Sequence, residues 1–348
     1  MHPRGRGADI NPANRFDSLR VETDEDAWID DDPRPLRTVF LRDDSQSILS
    51  INEADDLSFS YGLNPYRGCE HGCAYCYART YHEYLGFSAG LDFESKIVVK
   101  PDAPELLEKQ LAKPSYQPGS IALSGATDCY QPVERKLELT RRCLEVLARF
   151  RNPVVIITKN TLVARDLDHL AELARHRAVA VYISVTTLDP ELARILEPRA
   201  ASPRSRLETI RKLADAGVPA GVSAAPMIPG LNDSELPAIL KAAAENEASF
   251  AMYSMVRLPG TVADVFSAWL DRHQPLAKEK ILGRIRDLHG GRLNSTAATA
   301  RLRGTNEAAA QWNALFHACC RKHGISPGTP VLNVADYRRL TPGQGELF

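Results

Sequence analysis

Cysteine is scarce in this chain, seven in 348 residues. Seven is odd, and too few for a disulfide framework at this length, so a reduced, cytoplasmic setting is expected. Long apolar runs are missing as well. None approaches the ~20 residues of a membrane-crossing helix, and no membrane partner is expected. The opening, MHPRGRGADINPANRFD, has no apolar stretch, so no secretory signal is expected there. Net charge is nearly absent, at −1, and overall charge therefore selects no class of partner.

What is present is ordinary in amount and uneven in placement. Hydrophobic residues make up 44% and charged residues 25%, a globular composition. Residues 1–60 hold 14 acids against 7 Lys and Arg, and residues 272–303 hold 8 Lys and Arg against 2 acids. A basic stretch of the second kind can hold phosphates, although a solvated basic face is the commoner explanation.

Patterning organises the rest. The first 35 or so residues, rich in Asp, Arg, Asn and Pro, read as an extended arm, partly disordered or wrapped over the body, with WIDDDPRPLRT as a turn or linker. Strand-like runs then appear in TVFL, SILSI, SFSYGL, IALSGA, PVVIITK, AVAVYISVTT, VPAGVSAAP and FAMYSMVRL. Helical patterns lie between the later ones: VERKLELTRRCLEVLARF, ARDLDHLAELARHR, SPRSRLETIRKLADAG and SELPAILKAAAEN. The third is punctuated by a cap-like Ser202, Pro203 at its start and Gly217 at its end. About six β-then-α units require a parallel sheet, because each parallel strand needs a crossover. The fold class expected is α/β: a partial (β/α)6 TIM-like barrel over residues 58–258, with an N-terminal arm at 1–57 and a helical C-terminal extension at 259–348. In such architectures ligands bind at the strand C-termini.

The stretch NPYRGCEHGCAYCYAR, residues 64–79, follows the first strand of that body and gathers three of the seven cysteines. The spacing is C-x3-C-x2-C: Cys69, Cys73 and Cys76. A loop of this spacing can wrap one face of a cubane and give three thiolates to three irons, leaving the fourth iron open. Gly68 and Gly72 permit the tight turning this needs. A zinc site would want paired ligand couples, with His71 or His82 as the fourth ligand, and no second couple exists. An electron-carrying ferredoxin would show a fourth nearby cysteine. Cys143 falls in a helical pattern as a core residue, and the adjacent Cys319 and Cys320 read as structural.

The aromatic Tyr75 inside C-x3-C-x-(aromatic)-C, after the first strand of a partial barrel, resembles the radical SAM superfamily. The opening GRGADINPANRF, the segment ATDCYQPVE and the long stretch ISVTTLDPELARILEPRAASPRSRLETIRKLADAGVPAGVSAAPMIPGLND further resemble the relatives of spore photoproduct lyase known as DNA repair photolyase-like. The superfamily resemblance implies a [4Fe–4S] cluster on Cys69, Cys73 and Cys76 whose fourth iron is chelated by S-adenosylmethionine (SAM). Reductive cleavage then yields a 5′-deoxyadenosyl radical that abstracts hydrogen from a substrate. It implies Tyr75 beside the adenine. Ser124, Gly125 and Ala126 fall where the SAM amino group is held, although SGATD departs from the glycine–glycine–glutamate pattern. Ser184 and Thr186 match the ribose or carboxylate contacts, Glu197 and Arg199 follow them, and Arg199 is a candidate partner of the SAM carboxylate. Ile228, Pro229 and Asn232 match the adenine-binding turn. Each also has a plain explanation: β-formers in a strand, a turn built by its own chemistry, or a surface ion pair.

On the substrate side, Asp128, Cys129 and Tyr130 follow the second strand and are the candidate catalytic residues. Asp128 and Tyr130 are expected to line the pocket. Cys129 is a candidate hydrogen donor to a product radical, or simply a small buried hydrophobe. Tyr253 and Arg257 on the last strand are further candidates for the cavity. Arg284, Arg286, Arg292, Arg301 and Arg303 are candidates for phosphate contact. The partners implied are an electron donor such as flavodoxin or ferredoxin and a nucleic-acid substrate. RNA, protein or a small metabolite are alternatives, and a non-enzymatic module stabilised by zinc or iron is the reading from a different class.

Overall fold

The computed structural model describes residues 5–16, 36–54, 56–298 and 300–340. Eleven strands occur among them: β1 (Val39–Arg42), β2 (Leu49–Ile51), β3 (Tyr61–Leu63), β4 (Tyr66–Arg67), β5 (Lys96–Val99), β6 (Ile121–Leu123), β7 (Val154–Thr158), β8 (Val179–Ser184), β9 (Ala220–Met227), β10 (Phe250–Met255) and β11 (Ser326–Pro327). Eight form one sheet in the order β11-β10-β9-β8-β7-β6-β3-β2. The six from β3 to β10 run parallel, with registers such as Ile121 on Val154 and Val154 on Val179. β2 adds antiparallel to one edge and the two-residue β11 adds parallel to the other. No pairing joins those edges among the described residues, so the expected partial barrel is the architecture found.

Burial explains why these runs are strands. All six residues of β8 are buried. Apolar residues on both faces suit a sheet covered on both sides, as parallel sheets are. On the helix side, Leu144, Leu147, Leu170, Ile210, Leu213, Ile239 and Leu240 pack on Ile156, Val181 and Val222. On the opposite face Val155, Ala180, Tyr182 and Phe250 meet, with the Tyr182 and Phe250 rings edge to face at 4.7 Å.

One helix and one strand need correction in detail. The run 133–150 is not one helix but two, Glu134–Leu137 and Leu139–Phe150, broken at Glu138, whose φ is +52. The Glu134 carboxylate accepts from Thr140 N (3.0 Å) and Arg141 N (3.3 Å), restarting the helix after the break. Strand β3 occupies only the last three residues of SFSYGL. The helix Pro203–Asp215 keeps its punctuation: Ser202 Oγ accepts from Ser205 N at 3.2 Å, and Gly217 sits at φ +74.

A second, three-stranded sheet, β1-β5-β4, pairs Val39 with Lys96 in parallel and Tyr66 with Val99 antiparallel. It frames the cysteine loop, which leaves directly from β4. The arm expected to be wrapped or disordered is wrapped where it is described: residues 5–16 lie against residues 83–94. Most of WIDDDPRPLRT lies outside the described residues. At the C-terminal end, helices Val262–His273 and Lys278–Leu288 bury Phe266, Trp269, Ile281 and Ile285 against Cys73, Ala74, Tyr75, Leu196 and Ile228. Among the described residues no helix is long and apolar enough to cross a membrane.

Candidate cofactor site

The loop that leaves β4 carries three free thiols, Cys69 and Cys73 buried and Cys76 half-buried. Two glycines make its turns. Gly68 and Gly72 hold φ +79 and +68. A side chain at 68 would meet His82 Cε1 and Phe93 O at 3.0 Å, and one at 72 would meet Glu94 Oε2 at 2.8 Å. Both positions therefore require glycine for conformation and for space.

Around the loop, buried polar side chains hold its backbone. Cys69 N donates to Phe93 O at 2.9 Å. Gln131 grips both flanks of Cys69: its Oε1 accepts from Glu70 N (2.9 Å) and its Nε2 donates to Gly68 O (3.1 Å). Arg79, fully buried, donates to Cys73 O through Nε (3.0 Å) and Nη2 (2.8 Å) and pairs with Glu94 at 2.5 Å. His71 Nδ1 lies 3.3 Å from Asp128. Burial opposes a charge on this imidazole, but the facing Asp128 and the Cys69 sulfur outweigh it and raise it to about 10. Burial pushes the Cys73 and Cys76 thiols up; Glu197 adds to the effect on Cys73, and Lys159 opposes it at both.

Beside the loop, at the strand ends, stands a buried carboxylate. Glu197 accepts from Thr186 Oγ1 at 2.7 Å and from the Tyr75 hydroxyl, and pairs with Arg206 at 2.5 Å. Arg206 also donates to Ala201 O (2.7 Å) and Ser184 O (3.1 Å). Lys159 Nζ lies 3.9 Å from Glu197 and 5.9 Å from the Tyr75 ring centre, with a side chain only 16% exposed. Asn232 ties the turn after β9 to the end of β8: its Oδ1 accepts from Ile228 N (2.6 Å), and its Nδ2 donates to Thr186 O (2.7 Å) and Pro226 O (3.1 Å). Ile228 and Pro229 are buried in that turn. At the end of β6, Ser124 holds φ +143 and Gly125 +113. For serine that conformation is strained, and such strain concentrates at ligand sites. Ser124 Oγ donates to Ile157 O at 2.6 Å, Gly125 O accepts from Tyr77 OH at 2.6 Å, and Ala126 N donates to Asn64 Oδ1 at 3.2 Å.

Ser124, Gly125 and Ala126 thus fall just past the end of β6, Ser184 and Thr186 at the end of β8, and Ile228, Pro229 and Asn232 in the turn after β9, while Glu197 meets Tyr75 of the cysteine loop. Several expected roles change. Arg199 is engaged by Glu70 at 3.2 Å and by its own N–H to His71 O, so it braces the loop. Asp128 faces the loop rather than an open pocket: it accepts from Thr158 Oγ1 (2.7 Å) and Lys159 N (2.8 Å) and meets His71. Tyr130 points away, into the core, donating to Asp166 at 3.0 Å. Cys129 is in the core as well, its sulfur 3.5 Å from Leu123 O and from Ser124 Oγ. Cys129→Ser is expected to lose about 1–2 kcal/mol of stability, the range for burying an extra hydroxyl, and to leave iron loading unchanged. A denaturant melt and an iron assay check both. Tyr253 packs on Phe316, outside the sheet, with Arg303 stacked on it at 3.9 Å. Arg301 is paired with Asp56.

Sequence reasoning passed over Arg206, Lys159, Arg79 and Glu94. Arg206 left a signal, since it stands on the apolar stripe of its helix, four residues before Ile210 and seven before Leu213. Lys159 left a weaker one, directly after the buried run VVIIT. The others are set by tertiary contacts alone.

The donor set fits an iron–sulfur cluster: three unoxidised thiols, two obligatory glycines, and backbone held from several sides. Among the described residues no group of three His, Cys, Asp or Glu side chains is arranged to hold a single metal ion. A cubane is a different demand, one thiolate for each of three irons.

Comparison with known proteins agrees. The family model "Radical SAM superfamily" matches residues 63–243, more than half of the chain. An uncharacterised protein of Mycobacterium tuberculosis is 36% identical over 241 residues, 69% of this chain and 70% of the relative. One from Methanocaldococcus jannaschii is 30% identical over 185 residues, 53% of this chain and 67% of the relative. Among solved structures, spore photoproduct lyase complexed with dinucleoside spore photoproduct superposes with a TM-score of 0.60 at 16% identity, covering 83% of this chain and 81% of that one; that likeness is one of fold. The chain belongs to the radical SAM superfamily, and is an enzyme whose cofactors are S-adenosylmethionine and an iron–sulfur cluster.

Proposed function

We propose that this chain carries a [4Fe–4S] cluster on Cys69, Cys73 and Cys76 and acts on a lesion or modified base in a nucleic acid. The observation that carries the cofactor half is the set of three free thiols on a glycine-turned loop at the C-terminal end of a six-strand parallel sheet. When bound, the cluster and SAM supply a 5′-deoxyadenosyl radical that takes a hydrogen atom from the substrate. The chain supplies position. Arg79 and Gln131 fix the backbone on either side of the ligating thiols. Lys159 presents an ammonium in a semi-enclosed setting near Tyr75, suited to a carboxylate. Asn232 and Thr186 hold the turn where an adenine would lie. The electron comes from a flavodoxin or ferredoxin, and the reaction runs in the reducing cytoplasm.

The substrate half is supported by chemistry at the mouth of the site. Arg257 stacks over Tyr77, immediately after Cys76, at 4.3 Å. Tyr77 reaches across to Gly125, where a side chain would meet nothing within 4 Å. An arginine on an aromatic face offers donors to phosphate and a ring to a base. The solved structure of similar fold is complexed with a dinucleoside photoproduct, which adds to this reading.

Anaerobic reconstitution with iron and sulfide, reduction, and addition of SAM should yield 5′-deoxyadenosine. Irradiated oligonucleotides should raise that yield, and unirradiated ones should not. Lys159→Met should weaken SAM binding about tenfold, the loss of one charged hydrogen bond, with iron per chain unchanged; titrating the cluster's EPR signal with SAM reads both. No 5′-deoxyadenosine from an iron-loaded chain would sink the cofactor half, and indifference to irradiated DNA the substrate half.

A further inference from the structure

The opening motif GRGADINPANRF has no part in the cofactor contacts above, yet most of it is bound to the body of the protein, chiefly to residues 83–94. Ile10 O accepts from Leu91 N (3.2 Å), Pro12 O from Ser88 Oγ (2.7 Å), and Asn14 Nδ2 donates to Glu83 O (2.8 Å). Arg15 pairs with Glu83 at 3.2 Å, and Asp9 with Arg272 of the C-terminal extension at 2.5 Å. At its centre the arm reaches the cysteine loop itself. Gly7 lies so close that a Cβ there would stand 1.6 Å from Gly72 O and 3.2 Å from Ala74 N. Gly72 and Ala74 flank Cys73.

The same place holds a fully buried carboxylate. Glu94 accepts from Gly7 N (3.0 Å), from Ala8 N (2.8 Å) and from Arg79 Nη2 (2.5 Å), which together with Nε also holds Cys73 O. Arg6 closes the outer side, donating to Glu94 O (2.5 Å) and to Thr38 Oγ1 (3.1 Å), which donates to Glu70 beside Cys69 (3.0 Å). A buried carboxylate needs its full set of donors. Glu94 takes one donor from the loop side and two from the arm, so it binds the two together.

We propose that Arg6, Gly7 and Ala8 are positioning residues for the cluster: the arm is the outer wall of the cysteine loop, locked through Glu94 and Arg79, and it keeps solvent and oxidant from the cluster behind Cys73. This rests on the cofactor reading. The test uses the whole 348-residue chain, reconstituted anaerobically, as wild type, Gly7→Val, Glu94→Gln and the control Ile10→Ala, a residue 37% exposed. On exposure to air the cluster's visible absorbance should decay about tenfold faster in Gly7→Val and Glu94→Gln, within the 10–100-fold that outer supports of a metal site typically govern. The control should match wild type. Amide exchange should rise across residues 69–79 and stay unchanged in β7 and β8. Should Gly7→Val fail to fold, Glu94→Gln, which preserves shape, carries the test. Wild-type decay and exchange in the variants would overturn the arm's role alone; a wild-type chain that takes up no cluster would overturn the cofactor reading and this one with it.

Discussion

Alanine at Cys69, Cys73 or Cys76 is expected to abolish reductive SAM cleavage, while alanine at Cys143, Cys319 or Cys320 leaves it intact. The two sets differ chiefly in surroundings, Cys76 alone being half-buried. Cys143, Cys319 and Cys320 are buried among apolar side chains such as Leu144, Phe316 and Ile325. The first three stand on one loop whose backbone is held by Gln131, Arg79 and Phe93 O. Changes in the outer supports of a metal site typically cost 10–100-fold, so losing a ligand should exceed about a hundredfold. Iron per chain and 5′-deoxyadenosine, both measured after anaerobic reconstitution, check it. Apo-protein melting temperatures within a few degrees of wild type, about what one small buried truncation brings, would show that the fold survives. Full turnover from any of the three alanine variants would defeat the assignment of the cluster to this loop.

How far the sequence carried the reading follows from which contacts are local. The six parallel strands announce themselves as short, largely apolar runs, β-branched in β7 and β8, and their alternation with helices leaves one architecture. The ligands are legible because they are spaced along one loop. Family membership sets aside the metal-stabilised binding module, against which the missing fourth ligand also weighs. The errors have one origin. Asp128 and Tyr130 are expected to line a pocket, and Cys129 to be a hydrogen donor or a small buried hydrophobe; the chain turns after β6, and only the last of these holds. Asp128 is sent to His71, Cys129 to the core and Tyr130 to Asp166. Arg199 was read as a cofactor ligand because nothing local marks Glu70 as its partner. Strand β1 pairs with β5 across more than fifty residues, and no periodicity encodes such a pairing. The hub of Glu94 and Arg79 is invisible for the same reason: its donors come from residues 7, 8 and 79.

Removing the charge of Glu197 should be among the most destabilising single changes in the molecule. Glu197 and Arg206 are paired at 2.5 Å with side chains 0% and 1% exposed. Breaking such a pair strands the remaining ion in a medium that cannot solvate it, at about 3–5 kcal/mol. Glu197→Leu also leaves the Tyr75 and Thr186 hydroxyls without their acceptor. The melting temperature should fall by roughly 10 °C, at about 2–4 °C per kcal/mol. The double variant Glu197→Leu/Arg206→Met should recover much of that loss, because no charge is then left alone. A double variant as unstable as the sum of the singles would mean that the two residues act independently. Acid titration gives a second test. Burial opposes the carboxylate's charge, but Arg206 and Lys159 outweigh it and hold Glu197 down to about 2, below the ordinary 4.5. A folded pKa below the unfolded one means that the unfolded chain binds the proton more readily. The stabilisation is therefore complete above pH 4.5 and drains away as the pH falls toward 2. Wild type should lose stability steeply across that window, and the Glu197→Leu variant should lose less there. Because Tyr75 lies between this pair and Cys76, the same variant should weaken SAM binding even at pH 7, where its stability deficit alone leaves the chain folded.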